Sequence, residues 1–322
     1  MNYKRIAVLR GGPSQEYDVS MKTGRAVIDA LKALGYPLKD ITITRKGEWL
    51  ENGMVRRPEQ ALEAVDTVFI ALHGEYGEDG GIQRVLQRLN LPFTGSNALS
   101  SAIAYNKDLT KQHLVNSGVK LPKHKIITKA DLPRLDSLVE ELNTALGQEL
   151  FLKPASGGSS IGATHAPTPE VVKASIKAML DAYDSVMVEE FIRGKEATVA
   201  VLEDFRNTPL YALPAIEIVP PNGEPMFSYD DKYNGITDEI CPGRFSYHEK
   251  SQLEEAARIV HKHLNCSHYS RSDFIVRNGE VYFLEINTLP GLTNESLVPK
   301  AAQAVGLTFN ELIDHLIRTA RP

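Results

Sequence analysis

The sequence predicts an α/β fold of two or three domains that begins with a parallel β-sheet covered by helices on both faces. In the first ninety-odd residues, short apolar strand runs alternate with helical patterns. These apolar runs are continuous rather than alternating, which is typical of strands buried on both faces. The length of 322 residues also exceeds that of one typical domain of about 150 residues.

The first domain is predicted from four elements. Residues 6–9 form an apolar run that ends at Gly11-Gly12, and residues 67–72 form another that ends in a glycine-rich loop. Helices are predicted at residues 20–34 and 81–89. Ligands of parallel sheets bind beyond the carboxyl ends of the strands, so both glycine-rich loops are candidate binding loops.

The rest of the chain is predicted as a mixture of helices and strands. Thr168 and Pro169 suit the N-cap and the first position of a helix. Residues 222–245 are polar and lack periodicity, which is typical of a functional loop or a disordered segment. The other predicted elements are a strand at 149–153, a helix at 169–182, two strand pieces within 186–201, a helix at 251–264, strands at 272–276 and 281–286, and a helix at 309–318.

Composition argues against several classes of protein. The net charge of −5 disfavours a nucleic-acid binder, which usually carries an excess of basic residues. No window approaches the ~20 apolar residues of a membrane span. Cys241 and Cys266 are too few for a disulfide framework and lack metal-ligand spacing. We therefore expect a soluble cytoplasmic protein.

The strongest functional signal lies in two C-terminal stretches, SRSDFIV and VYFLEINTLPGLTNES. Asp273, Glu285 and Asn287 supply hard oxygen ligands of the type that Mg²⁺ takes when it also holds nucleotide phosphates. Arg271 lies two residues before Asp273 and shares its face of the strand, where a cation can stabilise developing charge. A solvated strand face explains any one of these residues, but the four together favour a site.

Shared metal ions require Asp273 and Glu285 to point to the same side of the sheet. The pair Asn278-Gly279 normally forms a two-residue turn, which would pair Arg277 with Glu280. Because side chains alternate along a strand, a regular ladder from that turn would place the two carboxylates on opposite faces.

We therefore predict a three-residue loop instead, with Val276 opposite Glu280 and Gly279 as the bulge residue. This register would place the four polar residues on one face, namely Arg271, Asp273, Glu285 and Asn287. It would place three others on the opposite face, namely Phe274, Tyr282 and Leu284.

A lysine and a small-residue loop form a second candidate site. Lys153 ends a predicted strand and precedes residues 155–162, whose glycines let a ligand approach the backbone. The N–H groups of Ser159 and Ser160 could cradle phosphate oxygens. The chain contains no Walker motif, and no GxGxxG follows a strand. A flexible connector is the alternative interpretation of this loop.

The loop HGEYGEDGGIQ at residues 73–83 places polar side chains beyond a buried strand. His73 is either a ligand of the site or a packed core histidine, and its acidic neighbours could simply favour the start of the next helix. Glu16 and Ser20 follow the first glycine-rich turn, where Ser20 is an equally good helix N-cap. The position of residues 73–83 at the sheet crevice favours function, whereas Glu16 and Ser20 are ambiguous in isolation.

Taken together, these stretches resemble the ATP-grasp superfamily and, within it, the D-alanine–D-alanine ligases. The resemblance covers essentially the whole chain in order. Its most specific parts are HGEYGEDG, DDKYNG, RSDF and LEINTLPGLTNESLVP. Its other parts are VLRGGPSQEYDVS, TGSNALSSAIAYNK, FLKPASGGSSIG and EEFIRGKE.

The resemblance implies an ATP-grasp fold in three parts, with ATP gripped between the last two. The parts are an N-terminal α/β domain at residues 1–96, a central subdomain at 97–188 and a C-terminal subdomain at 189–322. The implied reaction joins two D-alanines through an acyl phosphate and releases ADP and phosphate, for peptidoglycan precursor synthesis. The implied cofactors are ATP and two Mg²⁺ ions, which Mn²⁺ can replace, and the implied assembly is a homodimer.

The resemblance also implies roles for residues around ATP. Glu189 and Ile192 would meet adenine through the backbone, and Glu196 would bind the ribose hydroxyls. The lysines implied to contact phosphates are Lys107, Lys153 and Lys232. The residues implied to hold the metal ions are Asp273, Glu285 and Asn287.

A second set of implied roles concerns the amino-acid substrates. Glu16 would receive the ammonium group of the first D-alanine, with His73 near its carboxylate. Arg271 and the Gly291 N–H would act as oxyanion donors. The groups implied to hold the second D-alanine are Ser296 and the Leu297 N–H, and those implied to link the long loop to Glu16 are Tyr233 and Ser159.

Three positions depart from the family pattern, and several alternatives stay open. Arg10 stands where the family usually has an apolar residue, and Gly157 and Gly243 replace larger residues in ways that could loosen loop closure. A ligase that takes D-serine or D-lactate is the nearest alternative, although Tyr233 favours an amine acceptor. Another ATP-grasp carboxylate–amine ligase and a non-catalytic nucleotide-binding protein are further alternatives. Lack of the glycine fingerprint disfavours a nicotinamide dehydrogenase.

Overall fold

The computed structural model describes residues 4–158, 162–220 and 237–321, which form three β-sheets with helices packed around them. The strands are β1 (Ile6–Gly11), β2 (Leu38–Ile43), β3 (Trp49–Glu51), β4 (Met54–Arg56), β5 (Thr67–Ile70), β6 (His124–Thr128), β7 (Leu150–Pro154), β8 (Thr164–Ala166), β9 (Ser185–Glu190), β10 (Lys195–Phe205), β11 (Thr208–Ala212), β12 (Ile216–Val219), β13 (Asp238–Ile240), β14 (Tyr269–Arg277) and β15 (Glu280–Asn287).

Helices pack against all three sheets. They are α1 (Tyr17–Ala33), α2 (Pro58–Ala61), α3 (Gly81–Arg88), α4 (Ala98–Tyr105), α5 (Lys107–Leu114), α6 (Leu135–Leu146), α7 (Pro169–Ala182), α8 (Tyr247–His263), α9 (Leu297–Ala304) and α10 (Phe309–Thr319), with a 3₁₀ helix at Lys129–Arg134. Among the described helices, none is long and apolar enough to cross a membrane.

The N-terminal sheet has the strand order β4-β3-β2-β1-β5. Strands β2 and β5 both pair with β1 in parallel, so the predicted parallel sheet is confirmed. Residues 6–9 of β1 are fully buried, as their unbroken apolar run predicts. The edge hairpin of β3 and β4 is antiparallel and was not predicted, because its strands are three residues long and lack a clear apolar pattern.

Helix α1 begins at Tyr17, three residues before the predicted start, so Ser20 lies inside the helix rather than at its N-cap. The Ser20 hydroxyl accepts a hydrogen bond from Gly11 N at 2.8 Å and donates one to Ala71 O at 2.7 Å. These bonds connect the ends of two neighbouring strands. Ser20 therefore holds together the two loops that the sequence marks as binding loops.

A four-stranded antiparallel sheet, in the order β6-β9-β7-β8, forms the centre of the chain. Helices α6 and α7 bury their apolar faces on one side of it. Helix α7 has the predicted bounds, and the Thr168 side chain caps it by accepting a hydrogen bond from Val171 N at 3.5 Å. The other side of the sheet faces a cavity.

The C-terminal sheet has the order β13-β12-β10-β14-β15, with β11 paired to β10. Its apolar side packs against α8. Strand β13 pairs with β12 inside the segment 222–245 that was predicted to be irregular, so that prediction is wrong for these residues. Strand β13 has three residues and no periodic signal, and only its pairing defines it as a strand.

A buried polar junction joins the N-terminal and C-terminal sheets at His268. Its Nδ1 lies 2.9 Å from Gly95 N and 2.8 Å from Gly95 O, and its backbone N–H donates to Glu203 at 2.8 Å. Arg321 adds a salt bridge to Glu203 at 2.6 Å. Burial, with help from Arg321, lowers the pKa of His268 from 6.5 to about 4, so this ring is neutral in the folded protein.

This junction should make stability depend on pH. Below pH 6.5 the unfolded chain binds a proton at His268 that the folded protein takes up only near pH 4, so the contribution of His268 to stability is lost as the pH falls through this window. The expected slope is about 1.4 kcal/mol per pH unit for one proton. Urea unfolding at several pH values between 4.5 and 6.5 measures it.

The variant His268→Asn tests whether His268 causes this pH dependence. The backbone at His268 has φ of +64°, which asparagine tolerates, and an amide oxygen can still accept from Gly95 N. The variant should have a flatter pH profile, because it lacks the titrating ring. An unchanged slope in the variant would show that other groups cause the pH dependence.

Candidate active site

Two adjoining cavities lie among the three sheets and share one wall. The first is bordered by β7, β9, β14 and β15, and the second lies between β14, the start of α1 and the start of α9. The residues that line both cavities are Gln15, Glu16, Tyr105, Lys107, Gly157, Gly158 and Glu285. A group bound in one cavity can therefore reach a group bound in the other.

Every predicted site residue within the described ranges lines at least one of the two cavities. Those at the first cavity are Glu16, Lys107, Lys153, Glu189, Ile192, Glu196, Asp273 and Glu285. Those at the second are Glu16, His73, Lys107, Arg271, Glu285, Asn287, Gly291, Ser296 and Leu297. Four predicted residues, Ser159, Ser160, Lys232 and Tyr233, lie outside the described residues.

The hairpin between β14 and β15 does not have the predicted three-residue loop. Arg277 pairs directly with Glu280, and Asn278 and Gly279 form a two-residue turn with φ of +53° and +77°. Both values are those that a type I′ turn requires, which explains why the Asn-Gly pair adopts it. The predicted loop was therefore wrong.

A β-bulge nevertheless brings Asp273 opposite Glu285. The register shifts between Asp273 and Phe274, because Phe274 pairs with Phe283 and leaves Leu284 as the extra residue. Beyond the bulge Arg271 pairs with Asn287. The prediction that Arg271, Asp273, Glu285 and Asn287 share one face is confirmed, although the irregularity lies within the ladder and not at the turn.

The bulge also corrects the predicted composition of the opposite face. Tyr282 pairs with Ile275, next to Phe274 along the strand, so Tyr282 and Phe274 point to opposite faces. Leu284 lines the first cavity together with Ile275. The apolar face consists instead of Phe274 and Phe283, whose rings meet edge to face with centroids 5.9 Å apart.

Asp273 is held from two sides. Arg271 donates to both of its carboxylate oxygens, with Nε–Oδ1 and Nη2–Oδ2 distances of 3.0 Å. The hydroxyl of Thr198, opposite Asp273 on β10, donates to Oδ1 at 2.5 Å. Burial alone would lower the pKa of Arg271, but the adjacent Asp273 carboxylate outweighs burial and raises it. Arg271 is therefore a permanent cation in the lining of the second cavity.

The oxygen ligands on this face suit a cation that shares its coordination with a substrate. Among the described residues, no three His, Cys, Asp or Glu side chains converge as a metal site. Asp273 and Glu285 are directly opposed, and Asn287 continues the same face. Two carboxylates and an amide leave positions for phosphate oxygens and water, as a protein-bound Mg²⁺ usually requires.

Two buried lysines flank this face. Lys107 begins α5, and its Nζ lies 3.4 Å from Glu285 Oε2 and donates to Gly157 O. Burial lowers the pKa of Lys107, while Glu285 opposes this effect. Lys153 lies near the end of β7, 3.1 Å from a carboxylate oxygen of Glu189. Both lysines line the first cavity, where their ammonium groups could hold an anion.

An aromatic wall closes the far end of the first cavity. Phe151 and Phe191 both line it. The ring of Phe191 lies 4.0 Å from the His165 ring, and Arg193 lies over Phe191 at 5.3 Å. Flat apolar surfaces of this type suit a planar aromatic ligand.

His73 is buried in the wall of the second cavity and is bonded at both ring nitrogens. Its Nε2 lies 2.8 Å from Thr23 Oγ1, and its Nδ1 lies 3.0 Å from Leu289 O. Glu78 lies 3.6 Å from the same Nδ1, and burial raises the pKa of this carboxyl group despite its proximity to His73. His73 is therefore a packed histidine that also lines the cavity, and its role as a ligand of the site stays a prediction.

The start of α9 provides hydrogen-bond donors on the opposite side of the second cavity. Ser296 is the N-cap residue, and its hydroxyl bonds to Thr293 N at 3.0 Å. The first backbone N–H groups of a helix lack partners within the helix and attract anions. Ser296, the Leu297 N–H and the neighbouring Gly291 therefore form a site suited to a carboxylate.

The three departures from the family pattern have local explanations. Arg10 pairs with Asp40, and the absent side chain of Gly24 leaves room for it, since a Cβ there would lie 2.6 Å from Arg10. A Cβ on Gly243 would lie 2.5 Å from the Phe245 ring. Gly157 has φ of +117°, which other residues rarely adopt. Close neighbours therefore favour glycine at position 243, and the backbone conformation favours it at position 157.

Sequence reasoning assigned no role to four residues of this region, namely Lys111, Phe191, Thr198 and Tyr105. Thr198 and Lys111 contact site carboxylates from other elements, so no local pattern shows their role. Phe191 stands beside Glu189 and Ile192 in EEFIRGKE, which was a usable signal. Tyr105 precedes Lys107 by two residues and lines both cavities.

Comparison with known proteins gives consistent matches along the chain. Residues 51–96 match the family model for the D-ala D-ala ligase N-terminus, and residues 114–318 match the model for the D-ala D-ala ligase C-terminus. The chain is 38% identical to the D-alanine–D-alanine ligase of Desulforudis audaxviator (strain MP104C), with 99% of each chain covered.

Two solved structures have a similar fold. The VanG D-Ala:D-Ser ligase from Enterococcus faecalis matches with a TM-score of 0.83 and 29% identity, covering 99% of each chain. The D-alanine–D-alanine ligase from Bacillus anthracis complexed with ATP matches with a TM-score of 0.78 and 29% identity, covering 98% of this chain and 97% of that one. These matches span all three sheets.

The bond from Thr198 to Asp273 is testable through stability. Thr198→Val keeps the shape and strand propensity of the side chain but removes one of the two donors to Asp273 Oδ1. Loss of this hydrogen bond to a charged group should lower the free energy of unfolding by about 1–3 kcal/mol. Thr198→Ser keeps the hydroxyl and is the matched control. Urea unfolding should give a higher free energy of unfolding for Thr198→Ser than for Thr198→Val. Equal losses of stability in the two variants would mean that the hydrogen bond contributes nothing.

Proposed function

The chain belongs to the D-alanine–D-alanine ligase family, and on this premise we propose that it joins two D-alanines to D-alanyl-D-alanine at the expense of ATP. The fold is the ATP-grasp α/β fold of that family, as the sequence predicts. The product is a precursor for peptidoglycan. The proposal includes a cytoplasmic location, where ATP is available and both cysteines stay free thiols.

The shared wall of the two cavities carries this proposal. A ligase that activates a carboxylate with ATP must bring the terminal phosphoryl group within bonding distance of an amino acid. Lys107 and Glu285 line both cavities, and Arg271 and Asp273 occupy the same sheet face at their junction. One cavity therefore suits the nucleotide and the other suits two small zwitterions.

In the first cavity the aromatic wall would hold adenine beside Glu189 and Ile192. Glu196 would bind the ribose, and Lys107 and Lys153 would hold the phosphates. The face with Asp273, Glu285 and Asn287 would bind two Mg²⁺ ions, or Mn²⁺, which would offset charge on the transferring phosphoryl group. Ser160 and Lys232 complete the proposed nucleotide contacts.

In the second cavity the first D-alanine would lie with its ammonium group at Glu16 and its carboxylate near His73. One carboxylate oxygen attacks the terminal phosphorus of ATP, a new P–O bond forms, and the bond to the leaving ADP oxygen breaks. The side chains act by orientation and by offsetting charge, as in other phosphoryl transfers. The proposed closure through Ser159 and Tyr233 would protect the acyl phosphate from water.

The second D-alanine would place its carboxylate at Ser296 and the Leu297 N–H. Its neutral amine attacks the acyl carbon and the C–N bond forms. As the tetrahedral intermediate collapses, the C–O bond to phosphate breaks and the nitrogen gives up one proton, which the departing phosphate can accept. Arg271 and the Gly291 N–H would stabilise the oxyanion of that intermediate. The hydrogen bonds that Arg271 donates to Asp273 hold the guanidinium group in place before the reaction begins.

D-Serine is a second candidate acceptor, because the VanG D-Ala:D-Ser ligase shares the fold over the full chain. Tyr233 favours an amine over D-lactate as the acceptor. A homodimer is the assembly proposed from the family, and no nucleic-acid partner is proposed. The domain boundaries at 96/97 and 188/189 are part of the same proposal.

The reaction is tested by ADP and phosphate release with ATP, Mg²⁺ and single amino acids. Release should depend on D-alanine, and mass spectrometry should detect D-alanyl-D-alanine. D-Serine with D-alanine is the discriminating arm, and a mixed dipeptide formed in preference to D-alanyl-D-alanine would favour the second candidate. Equal release with L-alanine, or no dipeptide, would contradict both.

Arg271→Ala should lower kcat by about 10²–10³, because one oxyanion donor is lost, with a much smaller change in ATP affinity. Arg271→Lys is the matched control, since it keeps the charge but not the paired donors that hold Asp273. Melting temperatures verify that both variants fold. Equal losses in turnover and nucleotide affinity would instead identify Arg271 as a ground-state phosphate ligand.

A further inference from the structure

A buried cluster of two lysines and one glutamate lies at the floor of the first cavity. Glu189 on β9 has one carboxylate oxygen 2.5 Å from Lys111 Nζ and the other 3.1 Å from Lys153 Nζ. The side chains of Lys111, Glu189 and Lys153 are 1%, 2% and 6% exposed. Lys153 and Glu189 line the cavity, whereas Lys111 lies behind Glu189 and forms no part of the wall.

The charges in this cluster depend on one another. Burial alone would raise the pKa of Glu189, but Lys153 and Lys111 outweigh burial and lower it, so the carboxylate is ionised. Burial lowers the pKa of Lys111 to about 8, with Glu189 opposing the change, and the ammonium group stays charged at neutral pH. Loss of the counter-ion of a buried carboxylate strongly destabilises the folded protein, because it leaves a buried charge without compensation.

Two anionic groups, the Glu189 carboxylate and the nucleotide phosphate, therefore compete for Lys153. In the structure its ammonium group contacts Glu189 and the carbonyl of the bulge residue Leu284, at 3.4 Å. In the proposed function the same ammonium group must contact nucleotide phosphate instead of Glu189. If Lys153 were the sole counter-ion of Glu189, binding of phosphate would leave a buried negative charge without compensation.

Lys111 is placed to remove this conflict. It lies one helical turn after Lys107 on α5, so a single helix carries both lysines on one face. Its ammonium group also donates to Pro122 O at 3.3 Å, which is a second contact that holds it beside Glu189. Because it does not reach the cavity, bound nucleotide cannot draw it away from Glu189.

We propose that Lys111 is a positioning residue that stays paired with Glu189 and thereby frees Lys153 to bind nucleotide phosphate. The proposal rests on the proposed function in taking ATP as the ligand. It predicts that Lys111 governs the affinity for the phosphates but not for the adenosine part of the nucleotide. The ratio of ATP affinity to adenosine affinity is therefore the diagnostic quantity.

The test is calorimetric binding of ATP and of adenosine in the absence of amino acids. Lys111→Met keeps most of the side-chain volume and removes the charge. It should lower the affinity for ATP by roughly tenfold to a hundredfold, the loss expected for one charge-assisted hydrogen bond, and change adenosine affinity far less. Lys120→Met, which removes an exposed lysine paired with Glu280, is the control and should change neither affinity.

The same substitution in a Glu189→Gln background gives the decisive comparison. Without the carboxylate, Lys153 has no ion pair to leave, so Lys111→Met should no longer change the affinity ratio. Persistence of the full effect in this background would overturn the proposal, as would equal losses of ATP and adenosine affinity in Lys111→Met alone. An unchanged ratio in Lys111→Met would overturn it too.

Glu189→Gln by itself keeps the proposal testable if Lys111→Met fails to fold. It releases Lys153, so the affinity ratio should equal or exceed that of the wild type, and a lower ratio would contradict the proposal. These measurements need no turnover. A wild-type protein that binds ATP but forms no dipeptide would refute the proposed function and leave the role of Lys111 still decided by the binding ratios.

Discussion

The position of one extra residue, Leu284, determines where the polar face of the C-terminal sheet lies. The Asn-Gly turn of the β14–β15 hairpin would by itself place Asp273 and Glu285 on opposite faces, and the bulge at Leu284 reverses this. The apolar pairs near the turn still face the core, while the polar pairs beyond the bulge face the cavities. A bulge shifts the alternation by one residue at the cost of one regular pairing. The bulge also places the Leu284 carbonyl beside Lys153.

Pairing of buried charges is the second constraint on this site. Both carboxylates of the polar sheet face have a cation near them, since Arg271 pairs with Asp273 and Lys107 lies beside Glu285. Such pairs contribute little net stability, because the cost of removing both groups from water offsets their attraction. They do, however, hold the charged groups in place before a ligand arrives, and this order is what an electrostatic mechanism requires. The ion pairs of Glu189 with Lys111 and Lys153 likewise hold charged groups in place before a ligand arrives, with Lys111 buried behind the cavity wall.

Predictions from local patterns were accurate where the pattern itself determines the structure. The strand at β1 follows from its apolar run, and helix α7 follows from its N-cap and proline. They failed where pairing with a distant segment decides the outcome, as for β13 and for the helical position of Ser20. Thr198 was missed for the same reason, since its contact with Asp273 exists only because β10 pairs with β14.

The sequence by itself determined the fold class, the family and the set of polar residues at the cavities, because these depend on residue type and order along the chain. The described part of that set lines two cavities that share one wall. Only the tertiary structure decided how the set is arranged: the bulge at Leu284, the bond from Thr198 and the burial of Lys111 behind Glu189. The physical reason is that register shifts and buried ion pairs depend on contacts between residues far apart in the chain. Their free energies are set by packing and desolvation that no local segment contains.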